Sequence, residues 1–300
     1  MESRPLIVKS ALSTQTGGFL ADGQVGGRGI THSLNPYVGC TFGRGGACPF
    51  CYVRELGFVQ MRAPKGEDGR RVPWGEWVNH KANLSLQLEK ELKRAHLRGT
   101  ASSIGVFMSS VTDPYQGIEA ELNLTRSCLE VFRRYPVGAL VVQTRSVLVA
   151  RDLDLLAQMP FAQLNLTVET NREDIRRSLT PTSPTFQRRL GVLQLATSLG
   201  IATQAVVAPL LPYSPDFAHQ LASSARRILI DTLLDGDGAG GRRSRKLGMG
   251  EKLATLGHPD WLGEEGKHAA HLLRQELTRL DVPWVWSCAG FGDLGLVGCG

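Results

Sequence analysis

The sequence predicts an α/β protein, a partial (β/α)6 TIM-type barrel with a C-terminal α/β extension. Two observations carry this expectation. From residue 100 onward, short apolar runs rich in β-branched residues alternate with amphipathic stretches, the pattern of repeated βα units around a parallel sheet. Six such runs with five helical stretches between them are too few for the eightfold barrel, so the ring is expected to stay open on one side. An open wound sheet satisfies the same alternation. At 300 residues, with 42% hydrophobic and 21% charged, the chain can build one large domain or two smaller ones.

The first strand is expected at Leu34–Val38 and the others at Ser103–Ser109, Ala139–Thr144, Gln163–Val168, Ala202–Ala208 and Arg227–Thr232. Between them the helical period falls on Asn83–Arg98, Glu119–Arg134, Asp152–Gln158, Thr185–Ser198 and Pro215–Ser223. Ser214 is placed to cap the last of these, with Pro215 at the first helical position, where a missing N–H costs nothing. A helix at Glu264–Leu280 and an apolar segment at Pro283–Ala289 close the chain.

Two segments fall outside the repeat. Gly57–Gly75, rich in Pro, Gly and charge, reads as an excursion over the surface. Asp235–Gly250 is a Gly-rich loop carrying the basic run Arg242–Lys246, which reads either as a solvated flexible loop or as a phosphate-contacting rim. The expected organisation is an N-terminal extension over 1–33, the barrel over 34–235, and the basic loop with the closing helix and strand over 236–300.

A formal net charge of +6 would attract a polyanionic partner such as nucleic acid or a phosphorylated metabolite. The first residues lack the charged-then-apolar pattern of a signal peptide, and no run approaches eighteen uninterrupted apolar residues. A cytoplasmic location and no membrane partner are therefore expected. In that reducing compartment structural disulfides are rare, so clustered cysteines point to a metal or catalytic site.

Three of the six cysteines cluster in NPYVGCTFGRGGACPFCYVRE, residues 35–55. Cys40, Cys48 and Cys51 have the spacing C-x7-C-x2-C on the loop after the first expected strand, at the barrel face where active sites sit. A structural zinc site needs four closed ligands, and His32 is a candidate fourth. A 4Fe-4S cluster is normally held by four thiolates, so three leave one iron open to an external ligand.

With an aromatic directly before the third cysteine (Phe50) and another directly after it (Tyr52), this trio resembles that of the radical S-adenosylmethionine (radical SAM) enzymes. The commonest family spacing is C-x3-C-x2-C. The four extra residues here sit in FGRGGA, whose glycines let the backbone bulge while the sulfur atoms stay in place. The resemblance covers roughly Leu34–Asp235. NPYVGC and CPFCYVRE, then SSVTDPYQGIEAELNLTRSCLEVF, VVQTRSVLVARDLDLL, LNLTVET and RRSLTPTSPTFQRRLGVLQLATSLGI, are similar to the spore photoproduct lyase-like (DNA repair photolyase-like) branch.

The resemblance implies a 4Fe-4S cluster on Cys40, Cys48 and Cys51, S-adenosylmethionine (SAM) on the open iron, and a reducing electron donor of the flavodoxin or ferredoxin type. It also implies a lyase-like radical reaction. Ser109, Ser110, Thr112 and Asp113 would lie near the SAM amino and ribose groups, Arg145 would meet the carboxylate, and Thr167 would approach the ribose. Arg145 stands where the branch usually has lysine, and its guanidinium can meet a carboxylate with two parallel hydrogen bonds. The branch returns a hydrogen atom from a cysteine at the end of the second strand, where this chain reads FMSSVTD; Cys288 and Tyr115 are the substitute candidates.

Each residue has a plainer reading as well. TDPY can be simply a turn, Arg145 and Arg151 surface charges, and Glu169 with Arg188 and Arg189 an ion pair bracing the barrel. Cys128 reads as a buried small hydrophobe, and Cys288 with Cys299 as a redox or metal pair or as inert. The seven histidines lack a metal-binding spacing, and GRGG lacks the Lys-Ser/Thr of a phosphate loop. The competing function is a non-enzymatic zinc- or cluster-bearing nucleic-acid-binding protein.

Overall fold

The computed structural model describes residues 3–15, 29–287 and 291. Its main sheet holds seven parallel strands: β1 (His32–Leu34), β2 (Gly105–Met108), β3 (Ala139–Thr144), β4 (Ala162–Thr167), β5 (Ala202–Val207), β6 (Arg227–Ile230) and β7 (Trp284–Trp286). They pair in chain order, each in register with the next, as in Leu140 with Ala162 and Thr144 with Leu166. Residues Ser13–Thr14 add a short antiparallel edge beyond β1. Every residue of β2 and β4 is buried, as strands covered on both faces must be.

Parallel neighbours need crossovers, and helices supply them. These are α1 (Leu84–Leu97), α2 (Leu124–Arg134), the single turn α3 (Leu153–Leu156), α4 (Phe186–Ser198), α5 (Phe217–Ala222) and α6 (Glu264–Arg279). In α1 the buried residues Leu84, Leu88, Leu92 and Ala95 recur at helical spacing and form one stripe toward the sheet. Cys128 is fully buried in α2, as a small hydrophobe would be. The architecture is the predicted partial barrel, and β7, from the closing segment, joins its edge beside β6.

Strands β2 to β6 lie within two residues of their predicted bounds, whereas the first strand differs. Leu34–Val38 is not continuous: β1 ends at Leu34, and Tyr37–Gly39 pairs antiparallel with Val78–Lys81 in a separate three-stranded sheet completed by Arg4–Leu6. Pro36 brings no N–H to a ladder, and the Asn35 side chain leaves the strand to accept from the Val111 amide at 3.1 Å. The helix expected from Pro215 starts at Phe217, because Ser214 donates to Asp216 Oδ1 and closes a turn first. The predicted 119–134 helix is divided at Asn123, whose φ is +50°.

The 57–75 segment is more than a surface excursion. It makes a helical turn at Gly57–Gln60 and buries Val59 and Ala63 with Val38, Val53 and Trp77 in a small core of its own. The basic run Arg242–Lys246 is a short helix. A buried charged network, absent from the sequence-based expectations, ties together the segments that follow β2 and β3. Glu119 and Asp152 are fully buried, Arg151 bridges them, and Tyr37 donates to Glu119.

Candidate functional site

The cysteine loop follows from local backbone chemistry. Cys40 precedes a 3-10 segment, Thr41–Gly46, which breaks at Arg44 and Gly45; Gly45 and Gly46 have φ of +64° and +79°, which a side chain would oppose. These are the residues that lengthen the first cysteine gap. Cys48 itself has φ +52° and is buried, with its N–H donating to the Leu179 carbonyl at 3.0 Å. Thr182 Oγ1 donates to the Phe42 carbonyl at 2.7 Å. The loop is therefore moored to the segment that follows β4. On its other side, a Cβ at Gly75 would lie 2.1 Å from the Gly43 carbonyl, so the 57–75 segment presses directly on the loop and carries Trp74 to the cavity edge.

All three thiols line one cavity of about 430 Å³ at the C-terminal ends of the strands, a volume suited to a small-molecule ligand. Burial pushes the Cys48 thiol up to about 12, with the Arg145 cation opposing it, and burial raises Cys40 and Cys51 as well. Thiols held protonated in this way release protons when a metal binds.

The remaining predicted residues gather around the same cavity: Phe50, Tyr52, Ser109, Ser110, Thr112, Asp113, Arg145 and Thr167 all line it. Their polar atoms differ in what they already hold. Ser109, at φ +75°, has a buried hydroxyl with no partner among the described residues. Tyr52 donates to the Ser110 carbonyl at 2.8 Å, which ties the third cysteine's neighbour to the end of β2. Thr167 accepts from Gln143 at 2.8 Å, and the buried Gln143 Oε1 has no partner among the described residues.

Thr112 and Asp113 serve first as braces. Thr112 donates to the Gly39 carbonyl at 2.6 Å. Asp113 accepts from Thr144 Oγ1 at 2.7 Å, the Tyr115 amide at 2.8 Å and the Arg145 amide at 2.9 Å, so it pins β2 to β3. Burial raises its carboxyl, and those hydrogen bonds pull the other way.

Tyr115 is not at the site. It is buried, its hydroxyl donates to Asp152 at 3.0 Å within the Glu119–Arg151–Asp152 network, and it does not line the cavity. Its place as a hydrogen donor is corrected accordingly. Cys288 and Cys299 lie outside the described residues. His32 opens β1 with its ring bonded to Thr31 at 2.8 Å. Among the described residues no three His, Cys, Asp or Glu side chains are grouped as they would be around one metal ion. Three thiols on one cavity, an orphaned buried hydroxyl beside them and room for a ligand fit a cluster with an open iron, because a cluster spreads its thiolates farther apart than a single ion does.

The sequence-based expectations missed the far wall. Phe107, Gln143, Val206, Asp231 and Thr232 line it, together with Arg243 from the basic run. Position at a strand's C-terminal end would have singled out Asp231 and Thr232, the last two residues of the predicted sixth strand. The Glu169 ion pair was foreseen, and the structure selects its partner. Arg189, fully buried, donates to Glu169 Oε2 at 2.6 Å, whereas Arg188 is exposed.

A parallel partial barrel whose first βα loop gathers three thiols at the mouth defines an enzyme scaffold built around a thiolate-held centre. The chain belongs to the radical SAM superfamily, whose family model matches residues 34–217. Members of this superfamily use a 4Fe-4S cluster and SAM. Similar proteins include an uncharacterized protein of Methanocaldococcus jannaschii, 30% identical over 184 residues that cover 61% of this chain and 62% of that one. Another, from Acidianus two-tailed virus, is 32% identical over 214 residues, 69% of this chain and 64% of its own. The chain thus spans less than two thirds of the length of both relatives. Among solved structures, spore photoproduct lyase complexed with dinucleoside spore photoproduct shares the fold with a TM-score of 0.52 and 14% identity, over 76% of this chain and 60% of that one. Streptococcus suis SuiB bound to precursor peptide SuiA does so with a TM-score of 0.50 and 12% identity, over 85% of this chain and 47% of that one. No described helix is long and apolar enough to cross a membrane.

Proposed function

We propose that the chain is a radical SAM enzyme holding its cluster through Cys40, Cys48 and Cys51. When bound, the cluster and SAM would supply a 5'-deoxyadenosyl radical that abstracts hydrogen from a substrate. The observation that carries this reading is the convergence of the three thiols on one strand-end cavity that also presents an unsatisfied Ser109 hydroxyl. Phe50 and Tyr52 flank the third thiol, Ser109 and Ser110 offer polar atoms to SAM, and Arg145 and Thr167 line the opposite strand ends.

A polyanionic substrate such as a lesion-bearing DNA strand is the reading that the rim supports. Arg242, Arg245 and Lys246 are exposed beside the cysteine loop, to which Lys246 is tied through Glu55. The run is partly committed to its own loop, since Arg243 donates to the Asp237 carbonyl at 2.7 Å and Arg242 to the Ala239 carbonyl at 3.1 Å. A flavodoxin- or ferredoxin-like protein would supply the electron.

The test is anaerobic. Protein reconstituted with iron and sulfide, reduced with dithionite and given SAM is expected to form 5'-deoxyadenosine, detected by mass spectrometry, and Cys48→Ala is expected to reduce it to background. Absence of the nucleoside with stoichiometric zinc in protein purified without added metal would overturn the reading. Irradiated and undamaged DNA then serve as the first substrate pair.

A further inference from the structure

The Arg145 guanidinium carries two contacts on one nitrogen. Nη1 lies 3.0 Å from Cys48 Sγ and 3.1 Å from Glu169 Oε1. The sulfur accepts a hydrogen bond from this nitrogen, whereas Oε1 faces it as an ion pair and has no hydrogen-bond partner among the described residues. The other carboxylate oxygen takes Arg189 Nη1 at 2.6 Å, and that nitrogen also donates to the Thr167 carbonyl at 2.7 Å. Arg189 Nε and Nη2 are buried with no partner among the described residues. The backbone of Arg145 is fixed as well, through its amide on Asp113.

Cys48 is one of the three thiols assigned to the cluster, so this inference rests on the proposed function. A cation and an N–H donor on a ligating sulfur stabilise the more negative, reduced cluster, and a carboxylate nearby opposes it. We infer that Arg145 sets the reduction potential of the cluster through its contact with Cys48, and that Glu169, held by Arg189, is a positioning residue whose charge offsets part of that cation. The electron comes from the external reductant, and no other bond changes.

Two charge-removing substitutions separate this role from simple bracing, because they are expected to act with opposite sign. Arg145→Gln removes the cation and should lower the potential. Glu169→Gln removes the anion that offsets the cation and should raise it. Arg145→Lys keeps the charge and should stay near wild type. The readout is the electron paramagnetic resonance signal of the reduced cluster in an anaerobic redox titration of the reconstituted full chain, without SAM. At a fixed applied potential each Gln variant should change the ratio of reduced to oxidised cluster threefold to tenfold, tenfold being about 59 mV for one electron.

Shifts in the same direction, or none in either variant, overturn the inference while leaving a working cluster and the proposed function intact. A wild-type chain that takes up iron but shows no four-iron signal overturns both. If Glu169→Gln fails to fold, Arg145→Gln against Arg145→Lys decides alone, and equal potentials for the two overturn the inference.

Discussion

At the scale of single residues, the cysteine trio was readable because thiols are few and short-range spacing suffices to group them. What each neighbour does was not, because its partner comes from a distant part of the chain. Asp113 meets Arg145, and Arg145 meets Cys48, 97 positions away. Asp231 illustrates a residue with a measurable signature. Burial pushes its carboxyl from an ordinary value of 3.8 up to about 7. The folded chain therefore keeps a proton that the unfolded chain has lost, and stability contributed by this group is present below 3.8 and falls away as pH rises toward 7. Asp231→Asn lacks that loss. Its stability advantage over wild type, measured by denaturant unfolding, is expected to grow between pH 4 and pH 7 to on the order of 3 kcal/mol and then level off.

At the scale of elements, β2 to β6 were readable from their apolar runs, since parallel strands buried on both faces leave no other pattern. The break after β1 was not, because Asn35 is held by the Val111 amide, far along the chain. The packing of 57–75 against the cysteine loop was equally hidden. Gly75 combines φ +98° with a contact that a methyl group would close to 2.1 Å. Gly75→Ala is therefore expected to cost about 1–3 kcal/mol in thermal unfolding and to lower iron uptake on reconstitution, whereas Gly45→Ala, with open space around it, should show only the backbone cost.

At the scale of the whole molecule, the sequence predicted a six-unit barrel and an extension, and the extension supplies a strand to the same sheet. That pairing was not legible because a three-residue strand carries almost no periodicity of its own. Its hold depends on Arg274, whose guanidinium stacks 4.6 Å over the Trp286 ring and 5.9 Å from that of Trp284. Trp286→Ala is expected to cost about 2 kcal/mol of global stability, read as a lower denaturant midpoint with an unchanged slope.

The mooring of Cys48 to Leu179 and of Phe42 to Thr182 sets an order of events during synthesis. A nascent chain that has emerged only as far as β3 already displays all three thiols and their contacts with β2 and with the 57–75 segment, but lacks the carbonyl that takes the Cys48 amide. The cradle is complete only after residue 182 has left the ribosome and β4 has docked, so a centre held on these thiols would find its full support late in synthesis.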